Sequence, residues 1–122
     1  MGCALAELHL LHLEDNPADH ELLRRCLVRA DVDARLTLVE TLEDFAAQIE
    51  AGGVDAVLAD YHLAGFNCLQ AWSWLQTRGL ELPFVIVSGA IGEATVAEAL
   101  LRGVSDYVDK NRLARLPAAL QR

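Results

Sequence analysis

The feature that most constrains this chain is an alternation of short apolar segments with amphipathic segments along its whole length. Five strand-like runs, four of them rich in Val, Leu, Ile and Ala, are each followed by a segment whose apolar residues recur at helical spacing. The strand-like runs are residues 8–13, 34–40, 54–60, 82–88 and 105–110. Near-continuous apolar strands that alternate with helices indicate a parallel sheet covered by helices on both faces. The alternation therefore predicts five consecutive βα units.

The starts of two predicted helices carry capping signals. Asn16 followed by Pro17 is typical of an N-cap residue with proline at the first helical position. Thr41, with an aspartate three residues later, resembles a capping box, although the usual partner is Glu or Gln. Residues 112–122 begin a final helix that the chain end cuts short. We therefore expect a single domain over residues 1–122 with a truncated last helix.

The charge of the chain excludes several classes of function. Its 122 residues carry a formal net charge of -8, whereas proteins that bind the phosphate backbone of nucleic acids present a basic surface. Binding to an anionic membrane surface is disfavoured for the same reason. No apolar run reaches the length of about 18 residues that a membrane span needs. We expect neither direct nucleic-acid binding nor membrane insertion.

The cysteines suggest a reducing compartment. Cys3, Cys26 and Cys68 are odd in number and far apart, and no CxxC spacing occurs. This pattern fits neither a disulfide framework nor a zinc site, so we expect a cytoplasmic protein. Ala6 stands where N-myristoylation requires Ser or Thr, so the Met1-Gly2-Cys3 start is expected to be unmodified and its cysteine inert.

Polar residues follow or end four of the five predicted strands. In an open parallel α/β sheet, ligands bind at the carboxyl ends of the strands. The residues at these ends are Glu14, Asp15, Asp60, Ser88 and Lys110. Their convergence on one crevice is the strongest functional signal in the sequence.

Three carboxylates gathered in that crevice, those of Glu14, Asp15 and Asp60, need a counter-charge. Two like charges about 4 Å apart repel by roughly 4 kcal/mol at an effective dielectric constant near 20. One lysine is not enough, so either a proton is taken up or a divalent cation lies between the acids. Carboxylate oxygens with room for water suit Mg²⁺ better than zinc or copper. The crevice therefore predicts a magnesium site.

The segments "LEDNPAD", "LADYHL", "VSGA" and "DYVDK" resemble the response-regulator receiver domain of two-component phosphorelays. The order and spacing of these motifs agree with the family from about residue 7 to residue 120. The resemblance implies a three-layer α/β fold, a flavodoxin-like doubly wound (βα)5 sheet with five parallel strands in the order 2-1-3-4-5. It also implies a signalling domain rather than an enzyme, one that catalyses only its own phosphorylation and dephosphorylation.

The resemblance assigns a role to each acidic residue. Asp60 corresponds to the phospho-acceptor, which takes a phosphoryl group from a sensor histidine kinase or a histidine phosphotransfer domain. Glu14 and Asp15 correspond to the residues that hold Mg²⁺ together with Asp60, and His62 would contribute its backbone carbonyl. A carboxylate is a poor nucleophile toward a phosphorylated histidine unless the charge on the transferring phosphoryl group is neutralised. Mg²⁺ and Lys110 would neutralise this charge.

The resemblance also implies a conformational switch. Ser88 and Lys110 would bind the phosphoryl group, and Tyr107, three residues before Lys110, matches the aromatic switch residue of the family. His62 and Ala90 stand at the two positions that tune the lifetime of the phosphoryl group. Self-association through the fourth and fifth βα units is expected, whereas the kinase and the output domain or protein are left open. The lack of an output segment suggests a domain excised from a larger signalling protein, or else a stand-alone receiver.

Two positions depart from the family pattern. Receivers commonly have proline four residues after the acceptor and directly after the lysine, and here these positions are Ala64 and Asn111. Proline fixes the backbone φ angle. We expect both departures to reduce the rigidity of a turn without changing the chemistry.

Rival functions have weaker support. Ser88 as the nucleophile of a hydrolase would need glycine two positions on either side, where the chain has Ile86 and Ala90. Neither of the glycine-rich phosphate-binding motifs, GxxxxGK[ST] and GxGxxG, occurs. The serious alternative is a degenerate receiver that acts only as a protein-interaction module, but such domains lose an acid or the lysine, and this chain keeps them.

The histidines before the second strand look structural. His9 and His12 lie within the first strand, where burial against a helix or exposure at one end is more common than metal ligation. His20 lies on the first helix and is expected to be exposed. These residues therefore add no metal site to the prediction.

Overall fold

The computed structural model describes residues 7–121, so the expectation for the Met1-Gly2-Cys3 start concerns residues outside that range. The strands are β1 (Leu8–Leu13), β2 (Ala34–Val39), β3 (Ala56–Ala59), β4 (His62–Leu63), β5 (Phe66–Asn67), β6 (Phe84–Ser88) and β7 (Asp106–Asp109). The α-helices are α1 (Pro17–Arg29), α2 (Leu42–Ala51), α3 (Cys68–Thr77), α4 (Glu93–Leu101) and α5 (Leu116–Leu120), and a 3-10 helix covers Lys110–Arg115. None of the helices described is long and apolar enough to cross a lipid bilayer.

The main sheet has the predicted topology. Its five strands lie in the order β2-β1-β3-β6-β7, and every neighbouring pair is parallel. Strands β4 and β5 form a separate antiparallel hairpin, so β6 and β7 are the fourth and fifth strands of the main sheet. The predicted order 2-1-3-4-5 is therefore confirmed. The order of the strands reverses at β1, with β2 on one side and β3 on the other, and ligands of such sheets bind in the crevice at this reversal.

Two apolar cores sandwich the sheet because successive side chains of a strand point to opposite faces. One core contains Leu11, Leu13, Val57, Ala59 and Ile86 of the strands, with Phe45 of α2 and Trp72 of α3. The other contains Leu10, Leu58, Val85, Val87 and Val108, with Leu23 and Leu27 of α1 and Leu116 of α5. Burial on both faces explains the near-continuous apolar runs and gives the three-layer architecture that was predicted.

Both predicted helix caps are present. The Asn16 side chain accepts a hydrogen bond from the amide of Ala18, and Pro17 occupies the first helical position of α1. The Thr41 hydroxyl accepts a hydrogen bond from the amide of Asp44 and starts α2. These caps satisfy amides that have no partner within their own helix.

The β4–β5 hairpin was not predicted. It turns at Gly65, whose φ angle of +85° is in the region that favours glycine, and it leads into the N-cap of α3 at Asn67. Each of its strands has only two residues, which is too short for an alternating apolar pattern to show in the sequence.

The end of the chain differs from the predicted strand 105–110 and helix 112–122. Strand β7 ends at Asp109, whose side chain accepts a hydrogen bond from the amide of Asn111 and starts the 3-10 helix. Arg112 has non-helical angles, φ -134° and ψ 46°, and α5 begins only at Leu116. Lys110 is therefore the first residue of the 3-10 helix and does not belong to the strand.

Candidate functional site

Residues after neighbouring strands meet at the carboxyl edge of the sheet, around the carboxylate of Asp60. Asp60 follows β3, and Ser88, the last residue of β6, donates a hydrogen bond from Oγ to Asp60 Oδ1 at 2.5 Å. Lys110, after β7, donates from Nζ to Asp60 Oδ2 at 3.1 Å. Both oxygens of this carboxylate are thus held by donors from the ends of β6 and β7.

Two more acids complete the cluster from the end of β1. One carboxylate oxygen from each of Glu14, Asp15 and Asp60 lies within 4.8 Å of the other two. A cation could contact all three residues at once, and a set made only of carboxylate oxygens is the kind that Mg²⁺ prefers. The predicted convergence of these acids is present, and the cluster is able to hold a divalent cation.

The acid of this cluster whose pKa is raised is Glu14. Its side chain is fully buried, and Lys110 Nζ lies 2.8 Å from its Oε1. Burial raises the pKa of Glu14 to about 7, and the Asp60 carboxylate adds to the rise, while Lys110 opposes it. A proton on Glu14 is one of the two ways in which repulsion within the cluster can be relieved.

The pKa of Asp60 is shifted in the opposite direction, downward, which keeps this carboxylate ionised. Burial alone would raise the pKa of Asp60, but the hydrogen bonds from Ser88 and Lys110 outweigh it and hold that pKa below its usual value. Two neighbouring carboxyl groups with pKa values moved apart are typical of sites with distinct roles for each acid. The Asp60 carboxylate is therefore anionic at neutral pH.

Lys110 has a third carboxylate partner that the sequence did not indicate. Its Nζ donates to Asp19 Oδ2, in the first turn of α1, at 2.7 Å. Burial alone would lower the pKa of Lys110, but hydrogen bonds to Asp19, Glu14 and Asp60 outweigh it and hold that pKa above its usual value. The ammonium group is therefore charged at any pH near neutrality.

The family model that matches the chain is that of the response regulator receiver domain, and the match spans residues 10–121. The chain belongs to this family. A comparison with curated protein sequences found no match.

Solved receiver structures share the fold of this receiver. A response regulator from Hahella chejuensis is 25% identical with a TM-score of 0.82, and the alignment covers 94% of this chain and 93% of that chain. The signal receiver domain of a Vibrio parahaemolyticus protein described as a Luxo repressor is 17% identical with a TM-score of 0.85, covering 95% and 88%. A phosphorylated cyanobacterial phytochrome response regulator is 19% identical with a TM-score of 0.78, covering 95% and 92%.

The other residues to which the resemblance gives a role differ in how exposed their side chains are. Tyr107 is half-buried on β7, and its hydroxyl donates a hydrogen bond to the carbonyl of Gly89 at 2.8 Å. Ala90, in the same loop after Ser88, is exposed. His62 is exposed on β4, with its ring edge against Tyr61 at a centroid distance of 4.9 Å. Tyr107 is thus linked directly to the loop that follows Ser88.

Both positions where receivers commonly have proline use the amide that proline lacks. The amide of Ala64 donates to Asp15 Oδ2 at 3.0 Å, and that of Asn111 donates to Asp109 Oδ1 at 2.8 Å. At Ala64 the amide also contacts Asp15, an acid of the cluster that is able to hold a cation, while the expected effect on turn rigidity stays a prediction. Proline at this position would leave Asp15 without that donor.

His12 and His20 form a pair beside the acidic cluster. Their Nδ1 atoms are 2.9 Å apart and their rings stack at a centroid distance of 5.1 Å. His12 is buried, and burial lowers its pKa to about 3, so its ring is neutral although its Nε2 lies 4.0 Å from Glu14 Oε1. His20 is half-buried rather than exposed, because it packs on His12.

Replacing Glu14 with glutamine is expected to make stability less dependent on pH. In metal-free wild type, the raised pKa of Glu14 means that its contribution to stability is present below its ordinary pKa of 4.5 and is lost as pH rises through about 7. Between pH 5.5 and pH 8, the free energy of unfolding of wild type should therefore fall by roughly 1–2 kcal/mol relative to that of Glu14→Gln. Urea unfolding of both proteins in EDTA measures this difference. A difference that stays constant would contradict the raised pKa.

Proposed function

We propose that this receiver domain accepts a phosphoryl group on Asp60 from a sensor histidine kinase or a histidine phosphotransfer domain, in a Mg²⁺-dependent reaction. The observation that carries the proposal is the state of Asp60, an ionised carboxylate whose oxygens contact Ser88 and Lys110 while two further acids stand beside it. A nucleophile with a lowered pKa among preorganised donors suits phosphoryl transfer, in which positioning and electrostatics do most of the work.

The three acids of the cluster are the proposed side-chain ligands of the metal. Glu14, Asp15 and Asp60 would bind Mg²⁺, and the backbone carbonyl of His62 is proposed as a further ligand. When bound, the cation neutralises charge on the transferring phosphoryl group. The amide of Ala64 orients the Asp15 carboxylate for this role. Loss of the proton from Glu14 would accompany metal binding, because the ligand form of a carboxyl group is the anion.

The transfer itself makes one bond and breaks one. An oxygen of Asp60 forms a P–O bond as the P–N bond of the donor phosphohistidine breaks, and the electron pair of that bond stays with the imidazole. Lys110 would pair with the phosphoryl oxygens and Ser88 would donate a hydrogen bond to them. The product is an aspartyl phosphate, with about -1.5 to -2 of charge on the phosphoryl group.

Phosphorylation is proposed to act on the rest of the domain through Ser88 and Tyr107. If the Ser88 hydroxyl moves toward the phosphoryl group, the loop after it moves with it, and the bond from the Tyr107 hydroxyl to Gly89 is strained or broken. Tyr107 then turns inward and changes the surface formed by α4 and β7. The exposure of Leu101 on α4, at 89%, supports the predicted self-association through this surface, which stays a prediction. His62 and Ala90 stay predicted lifetime-tuning positions.

The test of the proposed function is phosphorylation of wild type by a small donor. Incubation with acetyl phosphate and Mg²⁺ should add one phosphoryl group per chain, detected as a mass increase, and peptide mapping should find it on Asp60. Chelation of Mg²⁺ with EDTA should abolish the increase, because Lys110 alone does not neutralise the cluster. A chain that gains no mass under these conditions would instead be a degenerate receiver that acts only as an interaction module.

A further inference from the structure

Lys110 is shared among three carboxylates in this structure: it donates hydrogen bonds to Asp19 and Asp60 and forms an ion pair with Glu14. One of these partners lies outside the proposed phosphoryl and metal site. Its Nζ is 2.7 Å from Asp19 Oδ2, 2.8 Å from Glu14 Oε1 and 3.1 Å from Asp60 Oδ2. A lysine ammonium has three N–H donors and no more. Asp19 makes the shortest of the three contacts, and it comes from α1 rather than from a strand end.

A phosphoryl group on Asp60 would have to displace one of these partners. The group brings three strong acceptor oxygens. The bond that Lys110 makes to Asp60 can pass to one of them, and a second donor would have to leave Glu14 or Asp19. Release of Glu14 would take a contact from a fully buried carboxylate that water cannot reach, which is costly. The Asp19 side chain is 29% exposed, so water can replace the lost donor there. Of Glu14 and Asp19, Asp19 is therefore the partner whose release costs less.

We propose that Asp19 is a positioning residue that competes with the phosphoryl group for Lys110 and thereby limits how readily Asp60 is phosphorylated. This inference rests on the proposed function of Asp60. It extends the control of the site to the first turn of α1, an element that contributes none of the proposed metal or phosphoryl ligands. The direction of the effect is defined, because removing the Asp19 charge weakens the hydrogen bond from Lys110 to this side chain and so favours donation to the phosphoryl group.

The experiment compares the initial rate of phosphorylation by acetyl phosphate, at fixed Mg²⁺, for wild type, Asp19→Asn and Glu21→Gln. Glu21 is the matched control: it lies on the same helix and pairs with Arg24 and Arg25. Its replacement changes the net charge equally without touching Lys110. Asp19→Asn is expected to raise the rate about three- to tenfold, since charge-assisted hydrogen bonds are among the stronger ones. Glu21→Gln is expected to stay within about twofold of wild type.

A second comparison separates competition for Lys110 from other effects of Asp19. In a Lys110→Ala background, Asp19→Asn should change the slow residual rate no more than Glu21→Gln does, because no ammonium is left to compete for. A rate increase that persists without Lys110 would overturn the proposal. Thermal unfolding checks that each variant is folded, and Asp19→Ser is the second variant if Asp19→Asn is not.

The phosphorylation rates distinguish a failure of the Asp19 role from a failure of the proposed function. If wild type is phosphorylated on Asp60 but Asp19→Asn is no faster than Glu21→Gln, the role of Asp19 is overturned and the proposed function stands. If wild type gains no phosphoryl group on Asp60, both are overturned.

Discussion

Asparagine in place of Asp60 is expected to reduce labelling by acetyl phosphate and Mg²⁺ to background. The replacement keeps the size of the side chain, and its amide oxygen can still accept the Ser88 hydrogen bond, but an amide offers no anionic oxygen to attack phosphorus. It also removes one of the three carboxylates that are close enough to share a cation, so Mg²⁺ affinity should fall as well. Mass spectrometry measures the labelling, and isothermal titration calorimetry measures the affinity for Mg²⁺.

Asp55→Asn is the matched control for this variant. Asp55 directly precedes β3 and Asp60 directly follows it, so the two replacements change the same charge at opposite ends of one strand. The Asp55 carboxylate accepts a hydrogen bond from the amide of His9, which an asparagine oxygen can also accept. Asp55→Asn should be labelled like wild type. Equal labelling of both variants would contradict the assignment of Asp60 as the acceptor.

The residues that could be predicted from the sequence are those that the sheet itself positions. Asp60 and Ser88 follow or end apolar runs, Lys110 follows the last strand, and parallel topology brings the ends of neighbouring strands to one edge. The pattern of apolar runs defines both the sheet and the places where it ends. No side-chain detail is needed to infer that these groups lie together.

Other parts of the site depend on contacts that residue types do not reveal. In the sequence, Asp19 is an ordinary acid in the first turn of a helix, where a negative charge interacts favourably with the helix dipole. Only the packing of α1 against the sheet brings it to Lys110. The bond from Ala64 to Asp15 involves a backbone amide, which every residue except proline has. Its single signal in the sequence is the missing proline, which by itself suggests a looser turn.

The sequence predicts that the acidic cluster takes up a proton or a cation, but it does not predict which acid takes up the proton. Three carboxylates near one lysine imply that a proton or a cation is taken up, whichever acid is concerned. Because β1 ends deep in the sheet, Glu14 is fully buried, whereas Asp15 is only half-buried. The depth of each acid, a property of packing, makes Glu14 the one that holds a proton without metal.

Methionine in place of Lys110 is expected to affect both phosphorylation and stability strongly. Among the described residues, Lys110 is the cation in contact with Glu14, Asp19 and Asp60, so its loss leaves three carboxylates near each other without a counter-charge. Phosphorylation by acetyl phosphate should slow by about 100-fold or more, the usual cost of losing a preorganised group that stabilises developing charge. Without metal at pH 8, the free energy of unfolding should fall by about 3 kcal/mol, since removing one partner of a buried ion pair strands the other.

The pH and the metal separate this explanation from a loss of packing. Stability lost through carboxylate repulsion should be recovered in part at pH 5.5, where Glu14 can take up a proton, and in part by added Mg²⁺, whereas a packing defect would respond to neither. Arg112→Met is the matched control, because Arg112 lies exposed in the same 3-10 helix and its loss changes the net charge equally. Urea unfolding at the two pH values, with EDTA or Mg²⁺, measures both effects. If the two variants behave alike, Lys110 is an ordinary surface charge, and the electrostatic account of the site is wrong.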